Sequence, residues 1–96
     1  MSTMTHAPRL VFFGSSTSGR SRRADGFLAQ VLQRRQNHDT FEVVRVDADE
    51  RPDLVERFRV TAIPTLLVIE DGRVCARIVE PRGCRELTGV LAPWLK

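Results

Sequence analysis

Between Arg9 and Val46 the chain reads strand, helix, strand, and that order leaves few folds open. Arg9 to Phe13 is short and apolar, stops at Gly14 and suits a fully buried strand. Gly14 to Thr17 is loop by composition. From Arg20 to about Gln36 the apolar residues Ala24, Phe27, Leu28, Val31 and Leu32 recur three or four apart, the helical period. Asn37-His38-Asp39 ends that helix, and the β-branched run Phe41 to Val46 is a second strand. Two strands joined through a helix pair in parallel, with a right-handed crossover.

The remaining chain adds one more layer and a hairpin. Asp47-Ala48-Asp49-Glu50 suits a helix start, Pro52 fits only a first turn, and Leu54, Val55 and Phe58 form the buried side of a short helix. Thr65 to Ile69 is the most strand-like run. Glu70-Asp71-Gly72-Arg73 turns it, because Asp-Gly accepts the positive dihedrals of a tight hairpin. Val74 to Val79 returns as a strand and Pro81-Arg82-Gly83 breaks it. Leu87, Val90, Leu91 and Trp94 keep helical spacing until Pro93. The prediction is an α/β fold of order β-α-β-α-β-β-α: a four-stranded mixed sheet with helices on both faces. Residues 1–8 read as a flexible tail and 9–96 as one domain.

Composition narrows the function classes. No apolar stretch has the length to span a bilayer, and Met1 to Pro8 lacks the apolar block of a secretion signal. A cytoplasmic protein without a membrane partner is expected. Residues 1–36 hold six arginines and one acid, residues 37–72 four arginines and nine acids, and residues 73–96 five bases and two acids. That distribution predicts a molecule with one basic end. Six aromatics, most of them in apolar runs, supply no basic-aromatic stripe, so nucleic acid is not the expected partner. The His and Cys residues are too few and too scattered for a metal site, and no cofactor is expected. Cys75 and Cys84 are expected as reduced thiols. Cys75 reads as a small apolar filler. Cys84, with Arg82 and Arg85 close by at a helix start, is a candidate reactive thiol. A strand of about 20 Å separates the two, so no disulfide is predicted between them.

Several short motifs fall in one order. Leu10 to Phe13 precedes Ser18-Gly19-Arg20-Ser21. Val46-Asp47 with Asp49 and Pro52 follows, then Ile63-Pro64-Thr65, then Asp71-Gly72. Together they resemble the thioredoxin family over about residues 9–95, with the usual first strand and helix lacking. The resemblance implies the thioredoxin fold, a cis peptide bond before Pro64, and a place in cell redox homeostasis. It puts Ser18-Gly19-Arg20-Ser21 where the family carries its redox Cys-x-x-Cys. Ser18 and Ser21 thus occupy the catalytic positions. The aromatic usual before the motif is Thr17, and the acid often buried in the preceding strand is replaced by Phe12.

Serine changes the chemistry available there. In the family a helix N-terminus lowers a thiol pKa from about 8.5 and the thiolate attacks a disulfide. A serine hydroxyl does not ionise at neutral pH, so Ser18 and Ser21 are predicted inactive in thiol–disulfide exchange. A hydrolytic serine needs a base within reach. His38 lies about 25 Å off at the far end of the helix, and His6 is in the tail. Two readings of the loop stay open. Ser18 or Ser21 caps the helix and the arginines are solvated. Alternatively Ser18, Gly19, Arg20 and Ser21, with Arg22 and Arg23, bind an anionic group. At Ile63, Pro64 and Thr65 the resemblance implies a backbone that hydrogen-bonds an extended peptide or protein partner, which needs no thiol. The other reading is a turn kept for folding. Two functions follow: a redox-inactive binding module, or a thiol–disulfide oxidoreductase whose cysteines at positions 18 and 21 have been replaced by serine.

Overall fold

The computed structural model describes residues 7–95, the side chains of Arg35, Gln36 and His38 excepted. The element order is β1 (Arg9–Gly14), α1 (Gly19–Gln33), a 3-10 segment (Arg34–Asp39), β2 (Glu42–Asp47), α2 (Pro52–Arg57), β3 (Thr65–Glu70), β4 (Arg73–Val79) and α3 (Cys84–Leu91). This is the expected β-α-β-α-β-β-α order. Residues 1–6 of the expected tail, His6 among them, lie outside the described residues. The Pro8 carbonyl already accepts from the Glu42 N–H, just ahead of β1.

The four strands run β2-β1-β3-β4 across one mixed sheet. β1 pairs in parallel with β2 and antiparallel with β3, and β3 pairs antiparallel with β4. Asp71 and Gly72 both take positive φ, 51° and 76°, as the tight turn between β3 and β4 requires.

Side-chain alternation along β1 and β3 divides the core in two. Leu10, Phe12, Leu66 and Val68 face α1 and α3, where Leu28, Val31, Leu87 and Leu91 complete the larger cluster. Val11, Phe13 and Leu67 face the other way, with Val46 and Val60. Leu54, Val55 and Phe58 pack on this second cluster, so helices cover both faces. α2 nonetheless has no fully buried residue. Its expected buried side is only half-buried, because two turns give it too little length to seal the face.

Three details differ from the sequence reading. α1 stops at Gln33, and 34–39 tightens into a 3-10 segment: the apolar period ends at Leu32, and the buried Asn37 side chain donates to the Arg34 carbonyl and accepts from the Thr40 hydroxyl. Cys75 is exposed rather than a filler. It sits on an edge strand whose outer part no helix covers, and Val74 beside it is 43% exposed. The acidic run 47–50 forms a turn ahead of α2, whose only first-turn acid is Asp53.

Candidate functional site

β1 ends at Gly14 and delivers the chain to the start of α1. A Cβ on Gly14 would stand 2.6 Å from Phe12 Cε1 and 3.1 Å from Ser21 Oγ, so the bare backbone lets the helix start close on the strand end. Ser18 is the N-cap of α1, with extended backbone. Its Oγ accepts from the Ser21 N–H at 3.2 Å. This is the helix-capping role expected of one of the two serines.

Ser21 is buried, and its Oγ accepts from the buried Ser15 N–H at 3.0 Å. Ser15 Oγ donates to Asp49 Oδ2 at 2.9 Å. With that proton committed, Thr17 donates to Ser15 Oγ through its hydroxyl at 2.9 Å and its N–H at 3.3 Å. Asp49 is held in turn by its own N–H on Asp47 Oδ1. The loop is thus a closed polar network between β1, α1 and the turn after β2. Among the described residues, no imidazole or carboxylate bonds to either motif hydroxyl. Beside the loop, Arg45 reaches Asp25 with two bonds of 2.8 and 3.2 Å. Hydrogen bonding to that carboxylate raises the Arg45 pKa.

The other flank of the helix start is built differently. The Ile63–Pro64 bond is cis, and Pro64 is buried. Thr65 is fully buried, with its hydroxyl donating to the Ala62 carbonyl at 2.6 Å. Sheet pairing begins at Thr65, so Ile63 lies beyond it. Phe13 pairs with Thr65, which sets the proline turn beside the strand that leads to the serines. An open cavity of about 700 Å³ follows, lined by Arg20, Arg23, Phe27, Pro64, Val79, Glu80, Pro81, Arg82 and Glu86. Arg20 Nη1 bonds Glu80 Oε1 across it at 3.0 Å. The Glu80 N–H donates to the Pro64 carbonyl at 2.7 Å. Arg20 and Pro64, two of the expected binding residues, share this cavity, while Gly19, Ile63 and Thr65 flank it in the chain.

Cys84 opens α3 as expected and is half-buried. Its thiol donates to Gln30 Oε1 at 3.0 Å and faces the Phe27 carbonyl at 3.7 Å, so it is engaged against α1. Cys75 and Cys84 are both free thiols. No group of three metal-ligating side chains and no helix long and apolar enough to cross a membrane occurs among the described residues.

Ser15 and Glu80 were not singled out by the sequence, and Asp49 entered only as an acid of the motif order. Asp49 bonds Ser15 across 34 positions, and Glu80 meets Arg20 across 60. The one local sign was Glu80 sitting at a strand end before Pro81.

Fold and site together define an α/β domain with a capped helix start opposite a cis-proline turn. The thioredoxin family model matches residues 2–92. A thioredoxin of Mycobacterium bovis is 31% identical over 91 residues, covering 91% of this chain and 77% of that one. A thioredoxin of Listeria monocytogenes is 36% identical over 66 residues, covering 67% and 64% of the two chains. The chain belongs to the thioredoxin family. Two solved structures share its fold. Mitochondrial thioredoxin 3 of Saccharomyces cerevisiae has a TM-score of 0.73 at 22% identity, covering 92% of this chain and 80% of its own. The germline-specific thioredoxin Deadhead of Drosophila melanogaster has 0.79 at 19%, covering 94% and 83%.

Proposed function

We propose that this chain is a redox-inactive, peptide- or protein-binding member of the thioredoxin family. One observation carries the reading. Both motif hydroxyls already serve as acceptors for backbone amides, while the groove beside Pro64 stays open. Neither oxygen can form a disulfide with a partner. The groove needs no thiol to hold an extended segment by backbone and side-chain contacts. Cytoplasmic residence belongs to the same proposal, and two free thiols suit a reducing compartment.

An insulin-type reduction assay tests it. The chain is inert, and the Ser18→Cys, Ser21→Cys double variant gains measurable activity. Turnover by the unaltered chain would overturn the reading and direct attention to Cys84. A second reading has the family's name behind it, since the matched relatives are called thioredoxins. It makes the chain an oxidoreductase whose cysteines at positions 18 and 21 have been replaced. Phe12 and Thr17 weigh against it, because replacing two cysteines gives no reason to change those positions as well. Cysteine codons at 18 and 21 in the source gene would establish that reading in place of the first.

A further inference from the structure

One wall of the open groove beside Pro64 carries a carboxylate of the chain itself, bonded to an arginine of the facing wall. Glu80 sits at the end of β4 with φ at +48°, a left-handed backbone that a glutamate adopts only under constraint. The constraint is visible: its N–H is fixed on the Pro64 carbonyl, and its side chain bonds Arg20 across the cavity. Both partners are solvent-accessible, with side chains 75% and 43% exposed. A pair this exposed is weak and readily exchanged. Arg23 and Arg82 line the same cavity and enter no ion pair among the described residues. Glu86, the other acid there, accepts from the Arg82 N–H at 2.8 Å. Phe27 and the exposed Val79 supply apolar surface between the charges.

We infer that Glu80 is an internal stand-in for an acidic side chain of the partner. The groove takes an extended peptide bearing a carboxylate, which replaces Glu80 on Arg20 and gains Arg23 and Arg82 as further contacts. This rests on the peptide-binding reading above and adds the partner's chemistry to it. Glu80 then acts as a selectivity clasp: a neutral segment cannot recover the charge-assisted bond lost on opening it, whereas an acidic one can.

The test uses fluorescence anisotropy on the full chain. The probes are a labelled extended peptide with aspartate at alternate positions and its asparagine counterpart. The aspartate peptide binds more tightly. Glu80→Gln tightens it further by about threefold, the size of one exposed ion pair. In an Arg20→Gln background the same change gives no gain, because the competitor's target is gone. Glu42→Gln, which breaks the distant Arg9 pair, has no effect. Equal affinity for both peptides would overturn the inference and leave the binding reading standing. A Glu80→Gln gain that persists without Arg20 would also overturn it, as would displacement of the aspartate peptide by a single-stranded oligonucleotide at lower concentration. Binding of neither peptide would overturn both the inference and the reading beneath it.

Discussion

The two flanks of the α1 start are both polar but are built from different residue types and behave differently. On the β2 side, Ser15, Thr17, Ser21 and Asp49 satisfy one another in a network that is partly buried. On the Pro64 side, Arg20 and Glu80 meet in the open across a cavity. Removing Ser21 from the first leaves the buried Ser15 N–H without its acceptor, whereas the second is covered by water when broken. The inner flank therefore governs stability, and the outer flank is the one proposed for recognition. In this family member a serine at position 21 has a structural use of its own, independent of any lost electron transfer.

Substitutions sharpen or break that contrast. Gly14→Val has the largest effect, because its branched side chain must displace the buried Phe12 ring and the Ser21 side chain. It lowers stability by about 3 kcal/mol, read as a shifted urea midpoint at constant slope. Ser21→Ala comes next at about 2 kcal/mol, since the buried Ser15 N–H loses its acceptor. Peptide affinity in this variant stays within twofold of the parent, by about the error of a titration. Ser18→Ala costs about 1 kcal/mol through the lost cap. Glu80→Gln is smallest, about 0.6 kcal/mol, as befits a pair with a 75% exposed arginine. The contrast breaks if Ser21→Ala abolishes peptide binding while leaving the urea midpoint alone, or if Glu80→Gln shifts that midpoint more than Ser18→Ala does.

The fold was legible because its signals are local. β1 and β3 are unbroken apolar runs, α1 has its period, and Asp71-Gly72 marks the hairpin by dihedral need alone. The Ser18 cap was legible for the same reason, since its bond spans three residues. Arg20 was legible as a charge but not as half of a clasp. Glu80 lies sixty positions away, and only the approach of β4 to Pro64 brings them together. Asp49 could be read as an acid in a turn, but not as the partner that fixes the Ser15 hydroxyl. Cys75 was misplaced because one strand's sequence does not tell which of its positions a helix in another part of the chain will cover.

The shallow seat of α2 has its own consequence. With no fully buried side chain and the smaller of the two clusters beneath it, this helix has the least to lose by detaching from the sheet. In deuterated solvent its amides exchange ahead of those in β1 and β3. Such excursions tug on the adjoining turn that carries Asp49, and hence on Ser15. Arg20 and the β4 end lie on the opposite side, roofed by α1 and α3, so the proposed groove stays assembled while the α2 face breathes.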